Sequence, residues 1–207
     1  MDCLEYMKTI PDNYFDIAVV DPPYGMPEGS MRGCGVLKDR KLNTDGVKEW
    51  DTAPSPEYFA ELFRVSRNQV IWGGNYFPLP PARCMLCWDK MQPWDNFSQI
   101  ELAWTSFNAP AKLFRYDNRT GGKIHPTQKP VELYAWVFRT FCKEGDRILD
   151  THMGSQSSRI AAYHNGLEFY GCEISEDYFK AGNERFEREC LGVERINGFK
   201  VIQQTIF

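Results

Sequence analysis

The sequence predicts an α/β domain built on an open, mostly parallel sheet with helices on both faces. Three observations carry that expectation. Short β-branched runs such as Phe15–Val20 alternate with helix-period segments such as Tyr58, Phe59, Leu62 and Phe63. Two strand-like runs lead directly into polar stretches, Asp21-Pro22-Pro23-Tyr24-Gly25 and the stretch from Asp150, as at ligand-binding strand ends of open α/β sheets. The 207 residues suffice for one domain with a real core. No repeat, low-complexity tract or linker divides them, so 1–207 reads as a single domain.

Taken in order, residues 4–10 form a short helix stopped by Pro11-Asp12-Asn13, and residues 15–20 a buried strand. Residues 26–54 are rich in Gly, Lys and Asp without an apolar period, a long loop of the kind that is functional or disordered. Ser55-Pro56-Glu57 supplies an N-cap, a proline for the first helical position and an early acid. Strands are expected at 69–72, 84–88 and 100–105, the first followed by Gly73-Gly74-Asn75-Tyr76-Phe77, a loop that lies beside Tyr24 if its strand neighbours the first one. The basic, aperiodic stretch 108–124 reads as a second loop. A helix opens at Pro130, a strand covers 147–150, and a helix from about Ser157 stops at the Asn165-Gly166 pair. A strand at 169–173, a long helix opened by Ser175 and a final edge strand at 200–202 complete the chain.

Composition narrows the function class. No segment approaches the roughly 20 apolar residues of a membrane span, and Met1-Asp2-Cys3-Leu4-Glu5 is acidic, unlike a signal peptide. The seven cysteines are scattered and odd in number, which argues against a disulfide framework and for a reducing, cytoplasmic setting. Cys84 and Cys87 have metal-ligand spacing but no second pair, so no metal is expected. The net charge of −4 does not suit a whole-surface nucleic-acid binder. Two local clusters do suit phosphate contact: Arg32, Lys38, Arg40 and Lys41, and Lys112, Arg115, Arg119 and Lys123.

The stretch Asp21-Pro22-Pro23-Tyr24 carries the chemistry. The two prolines cannot donate ladder hydrogen bonds, so the strand stops abruptly in a stiff loop. The loop offers the Asp21 carboxylate, the Pro22 carbonyl and the Tyr24 ring. Carboxylate and carbonyl can each accept one N–H of an exocyclic amine while the aromatic ring stacks on the base that bears it. Accepting both protons directs the nitrogen lone pair at an electrophile. By itself the tetrapeptide equally fits a strand-ending turn with a packed tyrosine.

Two further stretches complete a set: His125-Pro126-Thr127-Gln128-Lys129-Pro130 and Asp150-Thr151-His152-Met153-Gly154-Ser155. With Asp2-Cys3 ahead of a short helix, these motifs, in this order and across nearly the whole chain, resemble the amino-methyltransferases of DNA. The order is the permuted one, in which the catalytic DPPY precedes the cofactor loop, and the closest likeness is to small adenine-specific members of phages and mobile elements. The resemblance implies a Rossmann-like S-adenosylmethionine-dependent methyltransferase fold with circularly permuted motif order. It also implies that Asp21 to Tyr24 act on the base, that Thr127, Lys129 and His125 line the methionine end of S-adenosylmethionine, and that Asp2 and Cys3 lie near its adenine. From the sequence itself, Gly154 and Ser155 open a nucleotide-type loop, Asp150 stands where a cationic methionine end would be met, and Glu173 stands about 20 residues on, as the ribose-binding acid of dinucleotide folds does.

The implied activity is methyl transfer to adenine N6 in DNA, with the base extruded into the site; cytosine N4 and a catalytically weak cofactor- or DNA-binding relative are the alternatives. Loops 26–54 and 108–124 are the segments large enough to hold a duplex. They are short for that work, which leaves a brief target site or a homodimer. Two residues depart from the family pattern: His152 replaces the usual Phe or Pro-Phe, and Gln156 replaces a second glycine. If Gln156 adopts the left-handed backbone that glycine supplies, it costs roughly 1–2 kcal/mol and weakens cofactor binding.

Overall fold

A computed structural model describes residues 1–25, 52–93, 98–117, 123–125, 127–196 and 199–202, with the side chains of 194–202 excepted. Arg32, Lys38, Arg40, Lys41 and Arg119 fall outside these residues, as do most of the loop 26–54 and Trp94 and Phe97.

Seven strands form one sheet: β1 Phe15–Val20, β2 Ser66–Trp72, β3 Met85–Asp89, β4 Ile100–Thr105, β5 Lys112–Arg115, β6 Arg147–Asp150 and β7 Glu168–Gly171. Their spatial order is β5-β3-β4-β2-β1-β6-β7. Only β4 runs against the others, pairing antiparallel with both β2 and β3. β1, flanked by β2 and β6, is central to the parallel part. Buried on both faces, it reads as a nearly unbroken apolar run. Asp16 is its one charged residue; it accepts from the Arg147 backbone N–H at 2.9 Å and pairs with Arg67 at 3.1 Å, tying β1 to both neighbours.

The helices lie on both faces, as expected. Helices α1 (Cys3–Lys8) and α2 (Pro56–Val65) bury Met7, Tyr58, Phe59, Leu62 and Val65 against Phe15, Ala18, Val20, Ile71 and Leu149. On the other face, α3 (Val131–Phe141) and α4 (Ser157–His164) bury Leu133, Val137, Phe138 and Ala161 against Ile17, Val19, Val70 and Ile148. Residues one apart along β1 thus face opposite cores, as the strand period of two requires. α5 (Glu176–Leu191) follows β7, capped by Ser175, whose hydroxyl accepts from the Tyr178 N–H. Ser55 caps α2 in the same way, with Pro56 at its first position.

Two expectations change. Residues 112–115 are strand β5, not loop: they pair in parallel with β3 and alternate half-buried and exposed, a period too short-lived in four residues to stand out. The C-terminal strand Phe199–Ile202 pairs with Val193–Ile196 in a separate antiparallel hairpin instead of edging the main sheet. Cys84 and Cys87, three positions apart on extended chain, point to opposite faces and cannot share an ion. Among the described residues no group of three or more His, Cys, Asp or Glu is placed to hold a metal, and no helix is long and apolar enough to cross a membrane.

Leu62 is fully enclosed beneath α2. Leu62→Ala should lower unfolding free energy by about 2–5 kcal/mol in urea titration, and a loss under about 1 kcal/mol would mean that this face is loosely packed.

Candidate active site

The chain switches direction across the sheet between β1 and β6, the point at which open α/β sheets bind ligands beyond their carboxyl ends. Asp21 follows β1 and Asp150 closes β6, so both polar stretches singled out in the sequence meet at that crevice.

Asp21 is engaged at both oxygens. Tyr24 donates its hydroxyl to Oδ1 at 2.8 Å, and Lys129 donates to Oδ2 at 2.5 Å. The Lys129 ammonium is 5% exposed and also lies 3.1 Å from Glu101 Oε2 on β4. Glu101 Oε1 in turn pairs with Lys90 at 2.5 Å. Four charges of alternating sign thus run from Lys90 to Asp21. Burial works against the Lys129 ammonium, but Asp21 and Glu101 outweigh it and hold its pKa well above the usual lysine value. Burial likewise opposes the Glu101 carboxylate, yet Lys129 and Lys90 bring its pKa down to about 2. A carboxylate has about four lone-pair sites, so Asp21 keeps accepting capacity beyond these two bonds.

Tyr24 is built into the site by the loop after β2. A side chain at Gly73, which sits at φ +68, would put its Cβ 2.1 Å from the Tyr24 ring, so glycine is required on both counts. Tyr76, on the single 3-10 turn Gly74–Tyr76, stacks on Tyr24 with centroids 4.8 Å apart and planes 23° from parallel. The placement of this loop beside Asp21-Pro22-Pro23-Tyr24 follows from β2 neighbouring β1.

The stretch 151–156 is held from every side. Asp150 is 1% exposed; its Oδ1 accepts from the His152 N–H at 3.0 Å and its Oδ2 from the Ser158 hydroxyl at 2.5 Å. Its carboxyl therefore anchors the loop to α4 and is not open to direct contact. Burial pushes its pKa up to about 7. Thr151 bonds the Tyr58 hydroxyl at 2.6 Å and His152 Nδ1 at 2.9 Å, and burial lowers His152 to about 4, so its imidazole is neutral. Gly154, at φ +48, donates its N–H to Glu173 Oε2 at 2.8 Å, and Glu173 Oε1 accepts from Ser175. Ser155 is buried, its carbonyl taken by Arg185 of α5 at 3.1 Å.

Gln156 does adopt the left-handed conformation, φ 59 and ψ 26. Its side chain points away from the crevice, however. The amide donates to the Phe179 carbonyl and Asn183, accepts from Arg159, and fills a cradle that any Cβ at Gly182 would occupy. The left-handed strain expected of Gln156 is present.

Asp2 and Cys3 are brought to the same end of the sheet by α1. Asp2 caps that helix, accepting from Leu4 and Glu5, and the Met1 ammonium donates to the Glu173 carbonyl at 3.0 Å. Burial raises the Cys3 thiol to about 11. His125 packs edge-on against Tyr178 at 4.3 Å and over Gly154. Its Nδ1 accepts from the Thr127 N–H at 3.3 Å, and burial lowers its pKa, which makes it a neutral turn residue. Of the described basic residues at 112–123, Arg115 pairs with Asp89 at 3.3 Å, Lys112 lies on the sheet edge, and Lys123 lies close enough to Lys90 and Glu101 to feel both charges. A separate groove of about 510 Å³ between β7 and α5, lined by Met153, Phe169, Phe179 and Phe186, touches the loop 151–156 only at Met153.

Nothing local in the sequence marks Lys90, Ser158, Arg185 or Tyr58, and Glu101 is marked only weakly. They are single polar residues, Lys90 just past β3 and the others on strands or helices, and several of their partners lie far along the chain. The strongest signal available was an acidic residue inside an apolar strand, Glu101.

A family model described as DNA methylase, of the N6/N4 type, matches residues 71–184. The chain belongs to that DNA methylase family. It is 30% identical over 138 residues to the type II methyltransferase M2.DpnII of Streptococcus pneumoniae, covering 67% of this chain and 48% of that protein, about half its length. Its fold is that of solved methyltransferases: the cytosine-N4-specific PvuII DNA methyltransferase superposes with a TM-score of 0.61 at 15% identity, over 88% of this chain and 83% of that one. TTHA0409 of Thermus thermophilus, solved with S-adenosyl-L-methionine, superposes with a TM-score of 0.57 at 19% identity, over 96% and 95%.

Two predictions follow from the loop. Because the folded pKa of Asp150 lies above its ordinary 3.8, its contribution is fully present below pH 4 and is lost as pH rises to 7. Asp150→Asn, which mimics the protonated acid, should match the wild type near pH 4 and exceed it at pH 8 by roughly 2–4 kcal/mol in urea melts; an equal difference at both pH values would contradict a protonated Asp150. Gln156→Gly relieves about 1–2 kcal/mol of strain but removes three hydrogen bonds worth about 1 kcal/mol each and empties the Gly182 cradle. A net loss of about 1–3 kcal/mol is expected, and a more stable glycine variant would show that strain dominates.

Proposed function

We propose that this methylase family member transfers the methyl group of S-adenosylmethionine to the N6 amine of adenine in DNA, as an adenine-specific enzyme with the DPPY motif ahead of the cofactor loop. The observation that carries the reading is the Asp21 carboxylate, adjoining the Pro22 carbonyl, at the end of β1 and across the crevice from the 151–156 loop at the end of β6.

The residues present suit the cofactor. Asp21 and Glu173 offer carboxylates to a cationic ligand, with Asp150 enclosed behind the loop; on this reading Glu173 and Gly154 would take the ribose hydroxyls, and Asp2 and Cys3 would border the adenine. Thr127, Lys129 and His125 would line the methionine side, as the family resemblance implies. When bound, the cofactor supplies an activated methyl group on a cationic sulfur. Asp21 and the Pro22 carbonyl would each accept a hydrogen bond from one amine N–H and direct the nitrogen lone pair at that methyl group; as the N–C bond forms and the S–C bond breaks, one amine proton is released, to Asp21 or to water. Tyr24 orients the ring. No strong base is needed, and placement supplies most of the rate. His125, neutral and bonded within its turn, is not required as one.

DNA is the proposed partner, with Lys123 at the mouth of the site and Lys112 and Arg115 on the nearby sheet edge as phosphate contacts. The short loops suit a brief target site or a homodimer. Cytosine N4 is the second reading, supported by the fold shared with the N4-specific PvuII enzyme.

Incubation with methyl-labelled S-adenosylmethionine and unmethylated DNA, followed by nucleoside analysis, should yield N6-methyladenine; N4-methylcytosine alone would establish the second reading. Asp21→Ala should abolish transfer while cofactor affinity by calorimetry stays within about threefold. Loss of both would make Asp21 structural.

A further inference from the structure

Lys129 is gripped unequally by its two carboxylates. Its Nζ is 2.5 Å from Asp21 Oδ2 in an aligned hydrogen bond and 3.1 Å from Glu101 Oε2. Among the described residues that second oxygen is enclosed and has the Lys129 ammonium beside it, but no donor aligned on it. Enclosed acceptors without a donor are uncommon because they lose hydration without replacement. Glu101 is also fixed in place, its other oxygen held by Lys90 at 2.5 Å, and it is ionised. The ring of Trp72, 5.8 Å from the ammonium, closes the far side.

We propose that Glu101 is a positioning residue that takes over the Lys129 ammonium when the substrate amine reaches Asp21. The idea rests on the function proposed above and extends it to a residue outside the DPPY motif. Turning the ammonium so that an N–H aims at Glu101 Oε2, already 3.1 Å away, completes that hydrogen bond; withdrawal from Asp21 Oδ2 by roughly 1 Å then yields that oxygen to the amine, while Oδ1 keeps the Tyr24 hydroxyl. The ammonium never loses a counter-charge during the exchange. Without Glu101, releasing Asp21 would strand a buried cation, so Lys129 would stay on Asp21 and compete with the substrate.

The test compares wild type, Glu101→Gln and the double variant Glu101→Gln/Lys129→Met. Each is assayed for labelled methyl transfer to unmethylated DNA at saturating S-adenosylmethionine, with thermal melting and cofactor calorimetry alongside. Glu101→Gln should lose roughly 10- to 100-fold in kcat, the scale of a misplaced reacting group, with KM for DNA and cofactor affinity within about threefold. Removing Lys129 as well should restore part of the rate, at least about fivefold over the single variant, a coupling that simple destabilisation does not produce. If Glu101→Gln fails to melt cooperatively, Glu101→Asp, charged but one methylene too short, takes its place with the same expected loss. A kcat within about threefold of wild type, or a double variant no faster than the single one, overturns the proposal. A wild-type protein that labels no DNA overturns the underlying function itself.

Discussion

A buried ammonium organises this crevice. Lys129 immediately precedes the Pro130 cap of α3, the crossover helix that leads to β6, while its partners Asp21 and Glu101 lie at the ends of β1 and β4. Stripping water from such a charge costs several kcal/mol, recovered only with close, well-placed counter-charges. The crossover helix, seated by Leu133, Val137 and Phe138 in the core, places Lys129 within reach of both carboxylates. The ion pairs then hold the DPPY loop beside the helix that delivers the 151–156 loop. As a device for stability the ion pairs are weak evidence; as a device for register they are specific.

Around this charge cluster the close approaches are made by missing side chains. Gly73 admits the Tyr24 ring, and Gly182 of α5 admits the Gln156 amide. Each glycine sits on one element and serves a residue of another. Tyr24 thereby reaches Asp21, and the 151–156 loop is fastened from behind by α5 through Gln156, Arg159 and Arg185. These contacts hold the loop from behind, while Tyr58, Glu173 and His125 meet it from its other sides.

What the sequence made legible follows from the range of the interactions involved. Phe15–Val20, the Ser55-Pro56 start and the Asn165-Gly166 stop are local signals, in which a few neighbouring residues decide the backbone, and each appears where expected. The DPPY and Asp150 stretches were visible because their residue types are unusual at strand ends. β5 was hidden because four residues hold barely two periods of alternation and its stability comes from β3. The Lys90–Glu101–Lys129–Asp21 chain was hidden for a different reason: its members are separated by up to 108 positions in sequence, and charge pairing at that range leaves no periodic trace. Gln156 shows both limits together. Its left-handed backbone could be read from the loop pattern, whereas the direction of its side chain depends on a helix two elements further on.

Two acids at the ends of adjacent strands thus meet opposite fates, and the difference bears on how the site handles charge. Asp21 has an ammonium at 2.5 Å, whereas Asp150, enclosed beside it, has only a hydroxyl and a backbone N–H. With nothing positive to face, burial dominates and Asp150 holds its proton to about pH 7, raised further by the neighbouring charges of Asp21 and Glu173. A cationic ligand in the crevice would supply the counter-charge that Asp150 lacks and lower its pKa. Binding of such a cation is then linked to release of a proton around neutrality, and affinity must rise with pH through that range. Anionic or neutral ligands gain nothing from the same arrangement. An enclosed acid so placed would favour a cation without touching it, while its two oxygens hold the loop.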